Sequence, residues 1–183
     1  MQNTINQYNQ VLEVCYQLFE NKLKDYGAAW RVLRPSSVTD QIYIKINRIR
    51  TLQMSETQMI DENEEDAFMA IVNYSIIALI QLQKGVSEIL DNETREEILA
   101  LYKDFATQAR DLMQKKNHDY GEAWREMRIS SITDLIYQKV LRTKQIEDNQ
   151  GRTLVSEGLE ANYFDMLNYA VFCLIKYAEN YND

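Results

Sequence analysis

Tyr26-Gly27-Ala28-Ala29-Trp30-Arg31 returns in the second half of the chain as Tyr120-Gly121-Glu122-Ala123-Trp124-Arg125. The correspondence then continues in order. Ser36-Ser37-Val38-Thr39-Asp40 recurs as Ser130-Ser131-Ile132-Thr133-Asp134, and Ile42, Tyr43, Lys45 and Arg48 recur as Ile136, Tyr137, Lys139 and Arg142. Asn73-Tyr74 pairs with Asn168-Tyr169, each inside an apolar run. Matches in this order and spacing mark an internal duplication, which decides the architecture before any single helix is assigned. The 183 residues divide into two repeats, about 1–90 and 91–183.

Each repeat reads as helix, irregular corner, helix, loop, helix. The first helix is expected over about 4–24 and 94–117. Thr94 and Glu97 have capping-box spacing, in which each side chain accepts a bond from the other residue's backbone N–H. Gly27 and Gly121 fall where a helix closes on a left-handed residue, a conformation glycine adopts without steric cost. The second helix is expected over about 38–54 and 132–147, with Ser37/Asp40 and Ser131/Asp134 spaced to cap its start. The third covers about 64–88 and 157–179, and the acidic run Asp61-Glu62-Asn63-Glu64-Glu65-Asp66 reads as a solvated helix start. No linker rich in Pro, Gly or Ser separates the halves, and halves of this size bury too little surface to stand alone. The expected fold is all-α. It is a tandem-repeat helical bundle with three main helices per repeat and a pseudo-two-fold axis, one domain over 1–183.

Composition agrees with helices and narrows the partners. Five Gly and one Pro are too few for the tight turns of an all-β fold. A net charge of −8 argues against duplex nucleic acid, whose phosphates require clustered Lys and Arg. Cys15 and Cys173, the only cysteines, can form neither a disulfide framework nor a zinc cage. The most apolar stretches, near 67–81 and 161–175, are interrupted by Asn73, Asp165 and Asn168 and fall short of a membrane span of about 18–20 residues. A reduced, cytoplasmic protein without a membrane partner is expected.

The third helix of the second repeat carries the chemistry most open to reading. From Tyr163 to Tyr177 it is apolar nearly all round, which implies burial on all sides. Asp165 and Asn168 interrupt that surface three residues apart, on one face. A buried carboxylate needs a cation or donors. Glu157, Glu160, Asp165 and Asn168 fall within an arc of roughly 140°. Glu157, Glu160 and Asp165 suit a hard cation, Mg²⁺ or Mn²⁺, which takes oxygen ligands. Alternatively, the two glutamates favour the helix N-terminus and Asp165 pairs with a buried Lys or Arg. Lys139 and Arg142 on the second helix either neutralise phosphate oxygens or pair with this acidic helix. Trp30 and Trp124 sit at equivalent corners beside Tyr and Arg. They offer either a face on which a base stacks or an aromatic plug that locks the corner. Tyr120, Trp124, Arg125 and Asn168 form the expected substrate-binding set. His118, the only histidine, has no partner for metal or triad chemistry and reads as a surface residue.

These residues resemble the nucleotide modification associated domain family. The pattern is Lys-x-x-Asp-Tyr-Gly-x-Ala-Trp-Arg, a helix with Lys-x-x-Arg, and a helix with Asp-x-x-Asn-Tyr before an apolar run. That family is similar in turn to the all-α, MazG-like nucleoside triphosphate pyrophosphohydrolases. The resemblance implies carboxylates from neighbouring helices around Mg²⁺, and cleavage of a nucleoside triphosphate to the monophosphate and pyrophosphate. By resemblance Asp165 matches the last Asp of the Glu-x-x-Asp motif. Asn162 stands where that motif has its glutamate, and the second helix lacks a clean Glu-x-x-Glu.

The leading expectation is a Mg²⁺-dependent nucleotide-binding protein acting as a nucleoside triphosphate pyrophosphohydrolase on a canonical or modified nucleotide. Its metal ligands would be Glu157, Glu160 and Asp165, with Lys139 and Arg142 catalytic at one site in the second repeat. The rival is a degenerate, non-catalytic helical module that binds a nucleotide as a signal or scaffolds a protein. Self-association into a homodimer is left open.

Overall fold

Left-handed glycines end the first helix of both repeats: Gly27 has φ 67° and Gly121 φ 62°. Their N–H groups bond back to Leu23 and Asn117 (3.0 and 2.9 Å), closing the last helical turn. The computed structural model describes residues 2–55, 63–89 and 92–180. Its helices are α1 (Gln2–Tyr26), α2 (Pro35–Met54), α3 (Glu64–Lys84), α4 (Arg95–Tyr120), α5 (Ile129–Asp148) and α6 (Leu159–Asn180). A single 3-10 turn fills each corner, Ala29–Val32 and Ala123–Glu126. No strand occurs among the described residues.

Several helix starts follow the expected chemistry. Thr94 and Glu97 form the reciprocal box, at 3.2 and 2.7 Å. Asn63 caps α3 by accepting from the Asp66 N–H at 2.8 Å, and Glu64, Glu65 and Asp66 fill its first turn, where the helix dipole favours negative charge. Asp61 and Glu62 lie outside the described residues.

The starts of α2 and α5 differ from expectation. They begin at Pro35 and Ile129, a turn earlier, and their cap positions Arg34 and Arg128 make no side-chain capping bond. Pro35 suits the first position of α2, since its missing N–H is one the helix would leave unpaired anyway. Ser37/Asp40 and Ser131/Asp134 are therefore inside their helices. The two aspartates bridge the repeats instead: Asp134 pairs with Arg50 at 3.0 Å, and Asp40 pairs with Lys144. At the other end, Gly85 (φ 75°) stops α3 at Lys84, before the expected boundary.

The two apolar helices α3 and α6 pack against each other at the centre. Helix α2 covers α3, α5 covers α6, and α2 meets α5 to close a four-helix core. Helices α1 and α4 lie across α3 and α6, each touching both repeats. Buried residues of both repeats form one continuous cluster.

The pseudo-two-fold is visible in paired contacts along the α2–α5 seam. Arg50 lies over the Tyr137 ring (4.1 Å) and Lys144 over the Tyr43 ring (5.0 Å). Gln53 donates to Thr133 (3.2 Å), and Thr39 donates to Glu147 (2.7 Å). By length and composition α3 passes as a candidate membrane span, but most of its apolar residues from Ala67 to Ile80 are buried in this core.

Candidate functional site

Asp165 occupies α6 where that helix faces α4 and α5. Only 6% of the residue is exposed. One carboxylate oxygen meets Lys116 Nζ at 2.5 Å and the other meets Lys139 Nζ at 2.6 Å. The expected partnership of Asp165 with Lys139 is present, and Lys116 of α4 completes it. Burial works against the charge on Lys116, yet the bond to Asp165 and its field hold the ammonium above the ordinary lysine range. Arg142 is exposed and makes no ion pair among the described residues.

Glu157 and Glu160 do approach Asp165. Together with Lys116, Leu112 and Phe164 they border a shallow hollow of about 250 Å³. Both glutamates are exposed, and Glu157 precedes α6 rather than lying on it. Among the described residues no group of three or more His, Cys, Asp or Glu is arranged to hold a metal ion. Asn162, where the resembling motif has a carboxylate, donates to the Gly158 carbonyl at 2.8 Å. With both Asp165 oxygens on ammonium groups, this donor set is a salt-bridge triad and does not fit a hard cation's ligand shell as it stands.

The corner of the second repeat is closed. Trp124 is buried and stacks flat on Phe172, with centroids 4.2 Å apart and planes 2° from parallel. The Arg125 guanidinium lies 4.5 Å from the same ring. Arg125 is itself committed to packing, donating to Glu179 (2.8 Å), Thr4 (2.6 Å) and Gln7 (2.7 Å). Asn168 is buried, accepting from Tyr8 at 2.6 Å and donating to the Ala109 carbonyl at 3.2 Å. Tyr120, by contrast, is 74% exposed. Trp124 is thus the plug of the two readings given above.

The first-repeat corner is open, for a reason written in two positions. Counting from Asn73 and Asn168, Ile77 stands where Phe172 does, and Ala70 where Asp165 does. Without the Phe172 ring Trp30 has no flat partner. Among the described residues its one aromatic neighbour is Phe19, tilted by 47° at 6.3 Å, the Arg31 guanidinium lies 5.9 Å from its ring centroid, and it stays half-buried. A cavity of about 310 Å³ results, walled by Phe19, Leu23, Trp30, Leu33, Ala70 and Ile77. Lys22, Tyr26, Gln41, Asn73 and Tyr74 contribute its polar groups. Lys22, the counterpart of Lys116, makes no ion pair among the described residues, because Ala70 offers it no carboxylate.

The next residue fixes the corner. Arg31 is 1% exposed and bidentate to Glu93 at 3.1 and 3.2 Å. It also donates to Gln81 and to the Gly85 carbonyl (2.6 Å). Gln81 returns a bond to the Arg31 carbonyl at 3.0 Å, as Lys176 does to that of Arg125. Both corners are therefore rigidly anchored, and only the aromatic filling differs.

Other reactive groups stay out of the site. Both thiols are buried and free, and burial pushes Cys15 up to about 12. His118 is exposed beside Asp119.

Comparison with known proteins finds no matching curated protein and no matching solved structure. A family model described as nucleotide modification associated domain 1 matches twice, over residues 22–82 and 116–177. The matched segments open on Lys22 and Lys116 and run through both corners into both central helices. The chain belongs to the nucleotide modification associated domain 1 family, as two tandem copies.

Proposed function

We propose that this protein binds a nucleotide and holds its base in the first-repeat corner. The observation that carries the reading is the apolar cavity of about 310 Å³ beside Trp30. That volume lies at the lower end of small-ligand pockets, about 300–1,000 Å³. An indole face suits a flat aromatic ring, and Lys22 on the wall offers a cation. The family's description, which speaks of nucleotide modification, agrees with a ligand of this class. Calorimetric titration with canonical and modified nucleotides tests it. One site per chain is expected, lost in Trp30→Ala and kept in Tyr120→Ala, which alters an exposed aromatic residue of the closed corner. Binding that survives Trp30→Ala sinks the proposal.

The hydrolase reading rests on a different observation, the hollow where Glu157, Glu160 and Asp165 meet Lys116. It requires Asp165 to exchange its lysines for Mg²⁺ or Mn²⁺. Pyrophosphate release that depends on the metal, fails in Asp165→Ala and persists in Trp30→Ala would select it over the first.

A further inference from the structure

The polar groups of the open corner say more about the ligand than its shape does. This inference rests on the nucleotide-binding reading of that pocket. Among the described residues that line the cavity, Lys22 is the one of fixed charge, and none is a carboxylate. The nearest further charges on α1 offer little help: Lys24 is tied to Glu20 at 3.3 Å, and Asp25 is anionic. A metal-bound triphosphate needs oxygen ligands for the ion and several cations for the phosphates. The described residues that line the corner provide neither. The chain as a whole is acidic, at −8, which opposes a polyanion that local cations do not offset.

One phosphate is a different matter. A monoester carries about −1.5 to −2 charges at pH 7, and a single ammonium at the wall can meet it. Gln41, on α2, is half-buried and makes no hydrogen bond to another described residue. Its amide carries both donors and an acceptor, which are the groups needed to bond the edge of a base.

We propose that the first-repeat pocket takes a nucleoside or a nucleoside 5′-monophosphate and excludes the metal–triphosphate. The base lies against Trp30 with its edge toward Gln41, and a single phosphate sits at Lys22. Recognition is centred on the base. The second corner cannot do the same, since Phe172 occupies the space of the ring and Asp165 holds the lysine.

Calorimetry on the full chain decides this, using nucleosides, 5′-monophosphates and triphosphates of the common bases, each with and without Mg²⁺. The expected order is monophosphate tightest, nucleoside next and triphosphate weakest, with no gain from Mg²⁺. Lys22→Gln, at an exposed position, should weaken the monophosphate by about three- to ten-fold and leave the nucleoside within about two-fold. Gln41→Ala should weaken nucleoside and monophosphate alike. A triphosphate that binds best, or binds only with Mg²⁺, overturns this proposal while leaving the nucleotide reading intact. A monophosphate affinity that ignores Lys22→Gln also overturns it. Absence of binding across all three classes removes the nucleotide reading itself.

Discussion

Tyr102 in α4 donates its hydroxyl to the side-chain oxygen of Asn73 in α3 at 2.7 Å, so a bond from the second repeat satisfies a buried amide of the first. The reciprocal bond runs from Tyr8 to Asn168 at 2.6 Å. Each asparagine then donates within its own repeat, Asn73 to the Cys15 carbonyl (3.1 Å) and Asn168 to the Ala109 carbonyl (3.2 Å). The central amides are complete only when both repeats are folded against each other. Tyr8→Phe and Tyr102→Phe should therefore each lower unfolding free energy by about 1–3 kcal/mol, the cost of a buried acceptor left unpaired. Urea denaturation should give similar losses for the two. A large loss for one and none for the other would refute their equivalence.

Arg31→Ala should cost about 3–5 kcal/mol, because it leaves the buried Glu93 carboxylate without its bidentate partner. The pair also sets an acid limit. Hydrogen bonds from Arg31, foremost among the causes, hold Glu93 below its ordinary value of 4.5. A depressed folded value means the stabilisation is present above the unfolded value and is lost as pH falls through the folded one. Thermal melts should show stability falling below about pH 4.5, with a shallower fall in Glu93→Gln.

Ile77→Phe should copy the closed corner onto the open one. The added ring fills the space beside Trp30, so the proposed nucleotide binding should disappear while helical circular dichroism is unchanged. The reverse change, Phe172→Ile, removes the stacked partner of Trp124 at a cost of about 1–3 kcal/mol. Its tryptophan emission should become more accessible to acrylamide. Unchanged quenching would show that the Phe172 ring is not what closes that corner.

Asp165→Ala separates the two readings of the second-repeat hollow. The structure predicts a loss of stability, since Lys139 is left largely buried without its carboxylate. Lys139→Met in the same chain should recover much of that loss. A variant as stable as the parent would mean that the triad contributes nothing to the fold.

Much of this was legible in the residues. The duplicated Tyr-Gly-x-Ala-Trp-Arg corner fixed the helix order, and the apolar surface of α6 around Asp165 demanded a cation, which Lys139 supplies. Lys116 was harder to foresee, because it arrives from α4, a helix distant in sequence and outside the acidic segment. The capping motifs at Ser37/Asp40 and Ser131/Asp134 misled because local spacing cannot reveal that a cross-repeat cation, Arg50 or Lys144, already claims the aspartate. The open corner had a sequence signal. Extending the Asn73–Asn168 alignment four residues sets Ile77 against Phe172. Its meaning was hidden, since whether an indole lies flat on a ring or faces empty space depends on how the corner folds over the third helix.

The exchange of tyrosines between repeats has an evolutionary consequence. A lone repeat lacks the hydroxyl its central asparagine requires, so an ancestor of half this length would have gained it from a second identical subunit. In such a pair every substitution is made twice. Phenylalanine at the aromatic position would shut both corners, and isoleucine would open both. Joining the halves into one chain releases each corner from its twin. One can then be given over to packing, as Trp124 and Phe172 are, while the other stays open and changes on its own.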